Sequence, residues 1–220
     1  MTKNMKPAPG AGRLEGLEVG ALGPGAAEEA LGVLSRGMRD NPVHVAVFGD
    51  DPERRQERIR RVFEGAFDAM GWEANMLAAR DADGTIVGVC GALPPGKCRL
   101  ELRQQLHVMP KLFSNGPRAA LRAMRWLGAW ARHDPDERHW HLGPVAVEAR
   151  LQGRGVGTSL MEVFRARLDA IGEAAYLETD KPENVRFYER FGFEVIGEQQ
   201  VLGVPNWFML RPARAGSASG

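Results

Sequence analysis

The strongest constraint on this chain is a single junction. His139–Val147 (HWHLGPVAV) has the apolar character of a buried strand, and it runs through Gly153-Arg154-Gly155-Val156-Gly157-Thr158 into a helix that extends to Ile171. Leu160, Val163, Phe164, Leu168 and Ile171 recur on one face of that helix, and Gly172 is its C-terminal stop. A strand that feeds a helix through glycine lays that helix against a sheet, so the chain is committed to layers of helix and strand. The junction also implies chemistry. A helix N-terminus carries unsatisfied backbone N–H groups and a partial positive charge, and glycines let an anion approach them closely. Arg154 and Thr158 add donors, so the turn suits a phosphate. No Gly-Lys-Ser/Thr follows, which excludes a P-loop, and glycines at 153, 155 and 157 do not have the dinucleotide-binding spacing.

Strand and helix signals continue on both sides of the junction. Leu14–Leu22 reads as a first strand, and Gly23-Pro24-Gly25 opens a helix over Ala26–Met38. Asp51 as N-cap, Pro52 at the first helical position and Glu53 at the positive end of the dipole predict a second helix. Ile59, Val62, Phe63, Ala66, Phe67 and Met70 form its buried face. Met76–Arg80 and Thr85–Ala92 flank Asp81-Ala82-Asp83-Gly84 as a hairpin. Leu93–Ser114 shows no clean period, and His44 reads as a polar loop residue after Asn41-Pro42. A helix over Arg118–Arg132 carries one stripe of Leu121, Met124, Leu127 and Ala131 and another of Arg118, Arg122 and Arg125, with Trp126 and Trp130 as core aromatics. Ala174–Glu178 (strand), Pro182–Arg190 (short helix), Phe193–Val201 and Trp207–Leu210 (strands) complete the pattern. With no repeat and no linker, the expectation is one α+β domain over 13–212, with disordered tails at 1–12 and 213–220.

Composition narrows the function. Of 220 residues, 44% are hydrophobic and 26% charged, as in an ordinary globular core. Lys+Arg 29 against Asp+Glu 28 leaves a net charge of +1, which argues against electrostatic capture of nucleic acid. No apolar run is long enough to cross a membrane, and no secretory signal is visible, so a soluble, cytoplasmic protein is expected. Cys90 and Cys98 cannot build a disulfide framework and lack metal-ligand spacing, so no metal is expected.

One family has this combination of motifs. Gln152, Gly155 and Gly157 form a Gln-x-x-Gly-x-Gly turn after Val145-Ala146-Val147, and Tyr176-Leu177-Glu178-Thr179, Asn184 and Phe187-Tyr188-Glu189-Arg190-Phe191-Gly192-Phe193 follow in order. The sequence thereby resembles the GNAT acyl-CoA N-acyltransferase family. It is also similar to the puromycin N-acetyltransferase-like branch, in these motifs, in Asp51-Pro52-Glu53-Arg54 and in Trp207-Phe208-Met209. The likeness spans about Leu17 to Arg211 but is dense only from His141 to Ile196. The segment 94–136, where acceptor specificity is expected, does not match, so the antibiotic substrate is not carried over.

The resemblance implies a mostly antiparallel sheet of six or seven strands with helices on both faces, split where acetyl-CoA inserts. It implies cofactor contacts from Val145, Ala146, Val147, Gln152, Gly153, Arg154, Gly155, Val156, Gly157, Thr158, Asn184 and Tyr188. The reaction implied is direct acetyl transfer to an amine in a ternary complex, with a homodimer a possible assembly. Acyl transfer needs an oxyanion donor, here the Val147 N–H if the strand is splayed there, and Gly143-Pro144 favours such an irregularity. Tyr188 is the candidate acid for the leaving thiolate. His141 is the candidate base, ahead of His139 on the same strand face, with Glu178 or a water as alternatives. Cys98, beside Lys97 and Arg99, lacks a base nearby in sequence, which disfavours an acyl-enzyme. The acceptor stays open, as do an acyl-CoA-binding module without turnover and a protein-lysine or longer-chain acyltransferase of the same fold.

Overall fold

A computed structural model describes residues 13–98 and 102–214; the expected tail at 1–12, the part of the expected 213–220 tail from 215 onward, and Arg99 lie outside the described residues. Seven strands and seven α-helices occur among the described residues. The strands are β1 (Glu18–Ala21), β2 (Met76–Arg80), β3 (Ile86–Leu93), β4 (His139–Val147), β5 (Ala174–Thr179), β6 (Glu194–Val201) and β7 (Val204–Arg211). The helices are α1 (Ala27–Gly37), α2 (Pro42–Phe48), α3 (Pro52–Met70), α4 (Leu102–Phe113), α5 (Pro117–Ala131), α6 (Val156–Ile171) and α7 (Pro182–Glu189). The fold is α+β. The Asp51 side chain caps α3 by accepting from the Glu53 and Arg54 amides, both at 3.1 Å, with Pro52 in the first turn.

The sheet has the order β1-β2-β3-β4-β5-β7-β6, and only β4 and β5 are parallel. All eight residues of β3 are buried, as expected of a central strand covered on both faces. One core packs α1, α2, α3, α4 and α5 on one face, through Leu34, Val47, Phe63, Leu112 and Trp126. The opposite core packs α6 and α7, through Leu160, Phe164, Leu168 and Tyr188, against Leu77, Leu142 and Leu177.

The key irregularity lies in β4. Against β3, Ala92 pairs with Leu142 and Cys90 with Val145, so β4 holds one extra residue at Gly143-Pro144, a cis peptide. Such a bulge breaks the alternation of faces. Leu142 packs with the α6 core, while beyond the bulge Ala146 has moved to the opposite core and Val145 and Val147 to the α6 side.

Five expectations are corrected. The first strand is shorter than 14–22. The unpatterned segment 93–114 contains α4, a helix that accommodates Pro110 near its C-terminus. On α5 the Leu121, Met124 and Leu127 stripe is 52%, 47% and 42% exposed, because the helix buries Trp126 together with Ala119, Ala120 and Ala123, whose small side chains allow close packing. Ile171, at the end of α6, is likewise exposed. His44 is no loop residue: it sits on α2, 2% exposed, edge-on to Trp126, with its Nδ1–H donating to the Met38 carbonyl at 2.8 Å.

Burial pushes the His44 pKa below 6.5, although the Met38 carbonyl and Asp180 oppose the shift and Lys181 and Arg55 add to it. The unfolded chain therefore takes up this proton near pH 6.5 while the folded chain takes it up only at lower pH. The stability His44 contributes is present above that pH and is lost as pH falls through it. A His44→Gln variant, which keeps a donor for Met38, is expected to show a flatter dependence of the urea midpoint on pH between about 7.5 and 5. Parallel curves for wild type and variant would contradict this.

Candidate functional site

β4 and β5 pair only at His139↔Ala174, Trp140↔Ala175 and His141↔Tyr176. Beyond that point β4 stays on β3 and β5 stays on β7, so a gap opens in the middle of the sheet, between Val145–Val147 and Leu177–Thr179. The Glu148 N–H donates to the Val87 carbonyl at 2.9 Å. Antiparallel pairs alternate, so Val147, opposite Gly88, turns its own N–H away from β3 and toward the gap.

The glycine turn lies at the end of this gap. Gly153 and Gly155 adopt φ of +78° and +87°, values reserved for glycine, and Gly155 is the N-cap of α6. Gln152 donates from Nε2 to the Val147 carbonyl at 3.3 Å and so ties the turn to the strand. Arg154 has a buried Nε with no hydrogen-bond partner, at the start of a helix whose first N–H groups also need acceptors. That donor set fits a pyrophosphate.

The other predicted residues gather around the gap. Asn184 on α7 donates to Thr179 Oγ1 at 3.1 Å, joining α7 to the end of β5. Tyr188 on α7 is 8% exposed, with its ring edge-on to Phe187 and Phe193. Burial, reinforced by Cys90 and Asp180, pushes its phenol above the usual value, so it keeps its proton until a strong base forms beside it. His141 donates from Nε2 to Glu178 Oε2 at 2.9 Å. Burial alone would lower the His141 pKa, but the charge of Glu178 and hydrogen bonds with Asp134, Cys98 and Glu178 hold it well above the ordinary value.

His139 does more than line the strand. Its Nε2 lies 3.3 Å from Asp134 Oδ1 and 3.7 Å from Cys98 Sγ, and its Nδ1–H donates to the Glu137 carbonyl at 2.7 Å. Asp134 and then Cys98 raise its pKa to about 10. Burial would raise the Cys98 thiol, yet hydrogen bonds with His139 and His141 bring it below its usual value. The thiol therefore has histidines beside it in space, which its sequence neighbours did not disclose. Cys90 is fully packed, and burial pushes it up to about 12.

Sequence reasoning missed three contributors. Arg13 donates to Ser159 Oγ at 2.9 Å and to Glu162 at 3.2 Å, and its stem covers Gly155. Asp134 carries no motif, and only the fold sets it between the two histidines. Gly37 ends α1 against β4, where a Cβ would lie 2.7 Å from the Val147 carbonyl oxygen and 3.2 Å from its nitrogen.

The model of the acetyltransferase (GNAT) family matches residues 45–193. Similar solved structures include "histone acetyltransferase HPA2 and related acetyltransferase" from Corynebacterium glutamicum, at a TM-score of 0.70 and 24% identity over 92% of this chain and 99% of that one. Arylalkylamine N-acetyltransferase 2 from Aedes aegypti gives 0.62 and 14% over 90% and 99%. A polyamine N-acetyltransferase from Drosophila melanogaster gives 0.58 and 14% over 88% and 98%. At these identities the likeness is one of fold.

Because the atoms Gly37 touches are backbone, Gly37→Ala is expected to displace the end of β4. A stability loss of about 1–3 kcal/mol should accompany weaker acetyl-CoA binding. Calorimetric titration beside a thermal melt checks this, and unchanged affinity would remove Gly37 from the site.

Proposed function

Since the chain belongs to the acetyltransferase (GNAT) family, whose members are acetyl-CoA-dependent N-acetyltransferases, we propose that it acetylates the amine of a small molecule directly, in a ternary complex. The observation that carries this reading is the gap between β4 and β5, which has the glycine turn at one end and the His141–Glu178 pair at its closed root. The pantetheine arm of acetyl-CoA would run along Val145–Val147, with the pyrophosphate on Gly153–Thr158 and Arg154. The acceptor would come from the α2 and α5 side. The His141 and Glu178 side chains are 21% and 4% exposed, a recess that suits a small amine better than a folded protein surface. The names of the Aedes and Drosophila structures, an arylalkylamine and a polyamine acetyltransferase, point to the same substrate class.

In this reading the amine nitrogen attacks the thioester carbonyl, and the Val147 N–H receives the oxyanion. The tetrahedral intermediate collapses, the carbon–sulfur bond breaks, and the thiolate takes the Tyr188 proton. The proton lost by the amine passes to the His141–Glu178 pair or to water held by it. Placing the acid on α7 and the acceptor of protons on the opposite face of the sheet keeps the two proton transfers apart.

Release of free CoA thiol across a panel of primary amines tests the proposal. Tyr188→Phe is expected to lower kcat by about a hundredfold or more with little change in acetyl-CoA affinity. Gly155→Glu should abolish that affinity by placing a carboxylate where the pyrophosphate sits. Tight acetyl-CoA binding with no turnover of any amine would make the chain a binding module and overturn the reading.

A further inference from the structure

Cys98, Asp134, His139 and His141 converge on one point from three separate stretches of chain. One donor atom from each, Sγ, a carboxylate oxygen and two ring nitrogens, all lie within 4.8 Å of one another. The resolved separations are 3.7 Å from Cys98 Sγ to His139 Nε2, 3.3 Å from His139 Nε2 to Asp134 Oδ1 and 3.5 Å from His141 Nδ1 to Asp134 Oδ1. In a tetrahedron around zinc, with bonds of about 2.3 Å to sulfur and about 2.0–2.2 Å to nitrogen and oxygen, neighbouring donor atoms are about 3.3–3.6 Å apart. Three of the six edges already lie close to those lengths, and the other three lie within 4.8 Å.

The surroundings of the two histidines have the arrangement that metal ligation needs. A ligating imidazole offers one nitrogen to the ion and fixes its tautomer by donating from the other to a carbonyl or carboxylate. His139 donates from Nδ1 to the Glu137 carbonyl at 2.7 Å, which leaves Nε2 directed at the cluster. His141 donates from Nε2 to Glu178 at 2.9 Å, which leaves its buried Nδ1 directed at the cluster, 3.5 Å from Asp134 Oδ1. A cavity of about 420 Å³ opens onto Cys98, Asp134 and His139, giving an ion a way in. Thiolate, carboxylate and two neutral imidazoles would neutralise a divalent ion, and this donor set favours zinc over the harder magnesium or calcium.

We propose that Cys98, Asp134, His139 and His141 form a four-coordinate site for a zinc-class divalent ion. With all four positions taken by protein, it is a structural centre that holds no open place for substrate. Cys98 stands where the chain leaves β3 for α4, and Asp134 stands where it returns from α5 to β4. The ion thus clasps both ends of the α4–α5 segment to the strand that carries the reaction. It also fixes His141 as a donor to Glu178, so the carboxylate becomes the group that receives the amine proton. The site stands apart from the choice of acceptor, and its test does not depend on turnover.

Untagged protein, incubated with zinc and passed through a desalting column, should retain about one equivalent per chain by elemental analysis. Cobalt(II) in its place should give the intense visible bands of a tetrahedral site and a near-ultraviolet thiolate-to-metal band. Cys98→Ser should lose the near-ultraviolet band, Asp134→Asn should lose retention, and His44→Gln, a histidine outside the cluster, should keep both. Zinc should raise the melting temperature of wild type but not that of Asp134→Asn, while acetyl-CoA binding by both cluster variants shows that they fold. Less than a tenth of an equivalent retained by wild type, or equal retention by wild type and the cluster variants, would overturn the proposal and leave an ion-pair network between Asp134 and the histidines.

Discussion

Everything in the site depends on two strands ceasing to pair. Inside a sheet a backbone N–H without a partner costs free energy, which is why interior strands seldom separate. Here β4 and β5 part after His141 and Tyr176, and the exposed groups are handled locally. Gln152 takes the Val147 carbonyl, Asn184 and Thr179 join the far wall, and the Val147 N–H is left facing the gap. A donor left facing an empty gap suits a ligand that brings its own carbonyl. In the proposed reading, binding and catalysis draw on the same unpaired backbone.

Much of this was readable from the residues, because the relevant signals are local. The α3 N-cap, the 76–92 hairpin, the strand into the glycine turn and the stop at Gly172 each rest on a few consecutive side chains and their φ preferences. The irregular β4 followed from a proline that cannot donate to a sheet. What could not be read is set by packing between distant segments. The periodicity of α5 marks a Leu/Met stripe, but alanines let that helix approach its neighbours more closely, so the alanine face is buried. His44 looked like loop because α2 is only a short helix after a proline. Cys98 has no spacing that relates it to His139 and His141, since the whole α4–α5 segment lies between them, and Asp134, in the turn between α5 and β4, carries no motif.

Charge is divided between the two faces of the sheet. On the α6 side the helix N-terminus, Arg154 and Arg13 offer positive potential to an anion. On the other side Glu178 and Asp134 surround the two histidines with carboxylates. The phenol of Tyr176, fully buried between those rings and pushed up by burial beside Glu178 and Asp134, adds no charge of its own. In the proposed reading an anionic cosubstrate and a cationic amine are drawn to opposite mouths of one gap, which favours simultaneous occupancy over exchange at a single site.

The extra residue at Gly143-Pro144 has an effect beyond local geometry. It makes β4 a strand of two parities: His139 and His141 face the α1–α5 side of the sheet, and Val145 and Val147, the same odd positions, face the α6 side. A strand of unbroken alternation could not serve both with that numbering. Loss or gain of a single residue between Leu142 and Val145 would rotate one half of the machinery out of view of the other, whatever amino acids were kept. What the two parities require of that stretch is its count of residues. Helices α4 and α5 are under no such arithmetic, because they lie outside the sheet.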